Sequence, residues 1–270
     1  HSKIISIVSR NVGEEDASIA IKLAEAIAVK GKKVLIILEK SEEALDKEQP
    51  FIDILNYNSS ITNLKNSIIN GPLGVKILQG FSKKNTNADE YKKLQGIKDQ
   101  LHNIGDFNYI LIYTGADTND IALAYITLSN MVYVIANTQI NSITESYSLI
   151  KAINHHKLMD KVNLIVYKPD NIQEGYYTYN NINSVVKRFL DIKIEYSGVI
   201  LRSSASDTTD WSLEALLDKE ARPSVDEDIQ RIAGEVLSKK FLKILKLRGD
   251  SMKGLKAKLN DRIEILWNKK

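Results

Sequence analysis

Residues 3–40, KIISIVSRNVGEEDASIAIKLAEAIAVKGKKVLIILEK, constrain the fold more than any other stretch of this chain. An apolar, β-branched run leads into a short polar loop, then an Ala-rich helical pattern, then a second apolar run after Gly31. Apolarity without alternation is what strands covered on both faces of a parallel sheet display. A strand, a tight loop and a helix in that order also frame a phosphate-binding loop. The loop Ser9–Ser18 (SRNVGEEDAS) runs against that role, because it places Glu14, Glu15 and Asp16 where phosphates would lie.

The same pattern recurs. Apolar runs at Ile4–Val8, Lys33–Leu38, Val75–Leu78, Tyr109–Tyr113, Val132–Ala136, Val162–Val166 and Glu195–Ile200 predict strands. Helical patterns at Ala17–Val29, Asp89–His102, Ser142–Ile153 and Ser184–Phe189 fall between them. Alternating strands and helices predict an α/β fold: a three-layer, doubly wound, mainly parallel sheet. No Pro/Gly/Ser-rich linker divides residues 3–238, so one domain is expected there, followed by a helical tail over 239–270. In such sheets ligands sit beyond the carboxyl ends of the strands.

Composition narrows the chemistry. The chain contains no cysteine, which removes disulfides, thiolate metal sites and cysteine nucleophiles. His155 and His156 are neighbours in a helical pattern and point to different sides, so no shared metal is expected. No apolar run reaches the length of a membrane span and no secretory pattern precedes the first strand. The expected compartment is a reducing cytoplasm, with His1-Ser2 read as an expression remnant that replaces native residues. Net charge is +3, yet residues 239–270 hold eleven Lys/Arg against three acids, leaving an acidic body of −5 with a tail of +8. Such asymmetry calls for a partner or a surface.

A working phosphate loop has glycines that free backbone N–H groups, a Lys on the phosphates and a hydroxyl on Mg²⁺. Here one glycine remains, Gly13; counting back from the helix, Asp16 stands at the Lys position and Ala17 at the hydroxyl position. Two like charges about 4 Å apart repel by ~1 kcal/mol in water and ~4 kcal/mol at an effective dielectric near 20. Three carboxylates therefore oppose a triphosphate. The same acids cap a helix and complement its dipole, each contributing roughly 0.3–1 kcal/mol. The expectation is a loop filled by its own charges. The strand that would present a metal-binding Asp ends in Tyr113, with Asp117 a few residues on, and the second strand ends around Leu38 and Lys40.

These segments resemble the MinD/ParA family of deviant-Walker ATPases, in particular the FlhG (FleN, YlxH) branch concerned with flagellar number and placement. The first strand–loop–helix unit and GKKVLIIL (31–38) carry the likeness. So do NGPLGVKILQG (70–80), YTGAD (113–117), NTQINSITESYSLIK (137–151), VNLIVYKPDNIQEG (162–175) and VVKRFLDIKIEYSGVI (185–200). The resemblance implies a P-loop NTPase-like fold over nearly all of 3–238. It also implies that Asn11 stands for the family's signature Lys, Asp16 for its phosphate Lys and Ala17 for its Mg²⁺ hydroxyl. Leu38 and Lys40 stand for two Asp, Tyr113 for the Walker B Asp and Tyr167 for the adenine-reading Asn. Each replacement removes charge neutralisation, metal ligation, water positioning or base readout. The implied protein is a pseudo-ATPase with a vestigial pocket at Asn11, Gly13, Asp16, Ala17, Leu38, Lys40, Tyr113, Asp117 and Tyr167. It would have no catalytic residue, metal or cofactor, and its family's ATP-sandwich dimer would be in question. The rival is a true ATPase binding ATP with Mg²⁺ in a rearranged pocket that uses Asp117, Ser18 or a partner's residue.

In the tail, LSKKFLKILKL (237–247) sets Leu237, Phe241, Ile244 and Leu245 on one helical face, with Lys239, Lys243 and Lys246 opposite; Leu242 lies between. Two readings stand open: a basic amphipathic helix on an anionic membrane, with ~1 kcal/mol of attraction per Lys/Arg, or a last helix packed on the body. Met252, Leu255, Leu259, Ile263 and Leu266 continue at helical spacing and, with Trp267, suit a protein partner. No nucleic-acid-binding motif is present. The expected function is binding and positioning, through flagellar or polar machinery or an active relative, with contact to the inner membrane face through the tail.

Overall fold

The computed structural model describes residues 2–9, 16–40, 52–53, 61–81, 94–114, 119–202 and 227–238. The apolar runs become β1 (Lys3–Ser9), β2 (Val34–Lys40), β3 (Ile52–Asp53), β4 (Ile69–Asn70) and β5 (Lys76–Phe81). They continue as β6 (Tyr109–Thr114), β7 (Met131–Ala136), β8 (Lys161–Tyr167) and β9 (Lys193–Ile200). Among the described residues these form one sheet, ordered β3-β5-β2-β6-β1-β7-β8-β9, parallel except for β4, which pairs antiparallel with β5. The helices are α1 (Asp16–Val29), α2 (Ile61–Asn66), α3 (Leu94–Asn103) and α4 (Asn119–Leu128). Three more follow: α5 (Ile140–His155), α6 (Ile172–Phe189) and α7 (Glu227–Ser238).

Strand interiors are buried on both faces, which accounts for their unbroken apolarity. One face carries Ile5, Ile7, Ile36, Leu38, Leu111, Tyr113, Tyr133 and Tyr167, covered by α1 and α7. The other is covered by α3 and α4 around Leu35, Ile37 and Ile110, and by Leu149, Ile150, Ile182 and Val186 of α5 and α6. Each fully buried Ile or Leu contributes roughly 1.5–3 kcal/mol. α1 is enclosed nearly all round, and even Lys22 and Glu25 within it are buried.

The chain winds outward from β1 to β2, returns to β6, and then crosses β1 to reach β7. The winding therefore reverses direction at β1, whose carboxyl end is the topological switch point.

Two expectations change. The sequence pattern predicts a helix only over Ser184–Phe189, whereas α6 begins at Ile172. Asn171 caps it, accepting 2.9 Å from the Glu174 N–H, and Glu174 reaches back to the Asp170 N–H at 2.6 Å. This is a variant of the capping box, with Glu174 bonding the residue before the cap, and it starts the helix despite Gly175 and a run of Tyr and Asn. Leu237, assigned above to the tail's apolar face, belongs to α7 and packs on the core beside α1.

Candidate functional site

Parallel register places the strand-end residues on three successive levels at the carboxyl edge of the sheet. Leu38 of β2 lies opposite Tyr113 of β6, Tyr113 opposite Ile7 of β1, and Leu38 opposite Gln79 of β5. On the other side Ser9 pairs with Ile135 and Tyr167 with Ile200. All of these side chains are buried, Leu38 at 6%, Tyr113 at 7% and Tyr167 at 4% exposure. None of these named residues carries a carboxylate.

At the switch point the Tyr113 hydroxyl lies 3.4 Å from Ser9 Oγ, two buried hydroxyls at the mouth of β1. A phenol fills space that a shorter metal-binding carboxylate would leave open. Leu38 beside it joins the core cluster beneath α1, as does Ala17 at the start of that helix. Neither can ligate a cation or a phosphate. The hydroxyl of Thr114, at the end of β6, is buried without a hydrogen-bond partner among the described residues.

After β8 the chain is pinned. The Lys168 N–H donates to Ile200 O at 2.7 Å, and Arg202 Nε donates to Asp170 at 2.8 Å. The Lys168 ammonium stands 5.4 Å from the Tyr167 ring centre. Nearby, the Asp228 carboxylate accepts from Leu201 N–H at 3.0 Å and from Arg231 at 2.7 Å, fastening α7 to the end of β9.

The structure thus brings Ala17, Leu38, Tyr113 and Tyr167 to one edge. Asp16 opens α1 and Lys40 closes β2, at the same edge. Asn11, Gly13, Asp117 and the tail residues Phe241, Leu242, Lys243, Ile244, Leu245 and Lys246 lie outside the described residues. Gln79, in register with Leu38, and Ser9, in contact with Tyr113, are residues of this edge that sequence reasoning did not single out. Gln79 was signalled by a polar residue directly after the apolar run Val75–Leu78. No helix among the described residues is long and apolar enough to cross a membrane.

No family model matches the chain. It is 23% identical over 208 residues to the antiactivator FleN of Pseudomonas aeruginosa, covering 73% of each chain. To the flagellum site-determining protein YlxH of Helicobacter pylori it is 22% identical over 275 residues, covering 96% of this chain and 90% of that one. Among solved structures, the MinC:MinD cell division protein complex of Aquifex aeolicus superposes with a TM-score of 0.62 at 15% identity, over 88% of this chain and 97% of that one. A plasmid partition protein of Borrelia burgdorferi bound to AMPPNP gives 0.60 at 19% identity, over 88% and 99%. The fold is the α/β fold of those solved structures.

Proposed function

We propose, from the premise that the chain belongs to the MinD/ParA family and to its FlhG (FleN, YlxH) branch, that it is a non-catalytic member acting in flagellum placement. One observation carries the reading: Tyr113 and Ser9 bring two buried hydroxyls together at the switch point, with Leu38 in register beside Tyr113. A metal–triphosphate complex needs charge-neutralising and metal-ligating groups there, and Leu38, Tyr113 and Ala17 supply neither. Without a nucleotide switch, the protein works by what it holds. Its partners are a protein of the flagellar or polar machinery, or an active relative, and its cofactor requirement is none. The tail, with Phe241–Lys246, supplies either a membrane contact or a partner contact.

A second reading keeps ATP with Mg²⁺, since similar folds include one bound to AMPPNP and one with Mg-ADP. In that case a rearranged pocket uses Asp117, Ser18 or a partner's residue. Calorimetric titration of the full chain with Mg-ATP separates the two. The proposal expects no saturable heat and no phosphate release above background. Saturable, Mg²⁺-dependent binding would refute it.

A further inference from the structure

We infer that the pole of the body bearing the strand N-termini is a face that docks on an anionic phospholipid bilayer, independently of the tail. In a parallel α/β sheet every crossover helix ends at that pole. Here the endings of α1, α5 and α6 leave cations, whereas those of α3 and α4 leave no Lys or Arg. Val29 closes α1 and is followed by Lys30, Lys32 and Lys33; Lys3 opens β1 and Lys76 opens β5. Lys157 follows α5, Lys187 and Arg188 occupy the last turn of α6, and Lys161 and Lys193 open β8 and β9.

The acids at that pole are fewer, and most are already engaged. Asp106 is held by Lys33, Glu195 by Lys161 and Lys193, and Glu235 accepts from Ser197. With Asp160 and Asp191, the described residues named here are ten cations against five anions, a surplus of five. Lys30, Lys32 and Lys187 make no ion pair with a described carboxylate. The field has a local mark: the Lys3 ammonium is pushed below its ordinary range by burial and then by Lys32.

Three large apolar side chains stand exposed among these cations. Val29 is 56%, Leu73 48% and Phe189 64% exposed, with the Arg188 guanidinium 5.3 Å from the Phe189 ring centre. Leu73 is held at φ 51°, a left-handed conformation that costs a non-glycine residue energy, in the turn just before β5. From β5 to β9 these points spread over roughly 30 Å at ~4.8 Å per strand. A flat surface meets all of them at once. A bilayer interface takes up both the lysines and the apolar tips; a nucleic-acid backbone offers Val29 and Leu73 nothing to bury into. α7 also ends at this pole, at Ser238, so the basic tail leaves the body where the surface would lie.

The test uses the full chain and sedimentation with vesicles of phosphatidylglycerol in phosphatidylcholine, against phosphatidylcholine alone, without nucleotide. The expected result is binding to the anionic vesicles only, weakened by salt. Charge reversal at Lys30 and Lys32, or at Lys187 and Arg188, should lower affinity by at least about fivefold per residue. Lys30→Arg with Lys32→Arg should retain it, as should Arg202→Ala at the opposite pole. These residues are exposed, and unchanged circular dichroism confirms folding. Unchanged vesicle affinity in both reversal variants would assign binding to the tail alone and overturn the inference. So would failure of the parent chain to bind, or loss of duplex-DNA binding with vesicle binding intact. The reading of an inactive nucleotide site is judged by the Mg-ATP titration, so either conclusion can fail without the other.

Discussion

Replacing Glu25 with glutamine should stabilise the folded chain at neutral pH. Glu25 sits in α1 at 0% exposure, and neither carboxylate oxygen has a hydrogen-bond partner among the described residues. Burial pushes its carboxyl up from an ordinary 4.5 to about 7, while Lys22 one turn back opposes the rise without cancelling it. Below the lower value the group is protonated in both states and has no effect. Between the two, the unfolded chain ionises while the folded chain keeps its proton. The folded state then binds more protons, and unfolding free energy falls as pH rises. Above about 7 both states are ionised and the whole cost is present. The gap of about 2.5 pH units, at 1.36 kcal/mol per unit, makes that cost about 3 kcal/mol. Glu25→Gln keeps the shape and the unpaired oxygen but cannot ionise. Urea unfolding of both proteins should give equal stability near pH 4, with a difference that grows to about 3 kcal/mol near pH 7 and then levels. A difference flat across that range would refute the reasoning, and would mean that Glu25 finds a partner in solution.

Two further variants test the packing that places the site. Gly175→Ala would put a methyl 2.2 Å from Val199 Cγ1 and 3.2 Å from Pro169 Cγ. The ordinary helical gain of up to ~1 kcal/mol should be reversed into a net loss of about 1–3 kcal/mol, read by thermal unfolding. Asn171→Ala removes the cap on the Glu174 N–H and should cost about 1 kcal/mol. Asn171→Ser should restore most of it.

Where burial on two faces dictates residue type, the chain can be read directly. β1, β2 and β6 to β8 appear where unbroken Ile, Val and Leu runs occur, because no alternation can mislead there. α6 was readable for only its last third, because its first turns rest on a capping-box variant and on a glycine pressed against Val199. α7 escaped because its pattern runs into the tail's, so Leu237 seemed to start the next apolar face. At the site, Leu38, Tyr113 and Tyr167 could be picked out singly, since each ends an apolar run. The pairing of Leu38 with Tyr113, and the hydroxyl contact to Ser9, depend on the register of strands far apart in sequence. No local pattern encodes that register.

β9 ends the sheet path among the described residues, and it departs from β8 partway along. Tyr196 pairs with Leu164 but Gly198 with Ile165, so Ser197 is an inserted residue, and Gly198 takes φ 119° to accommodate it. Lys193 and Glu195 add charge to the same strand. An outer strand that is bulged, glycine-kinked and charged is a poor template for another chain. This edge therefore resists growth by pairing with another chain, and its charges and kink keep it a terminus of the described sheet.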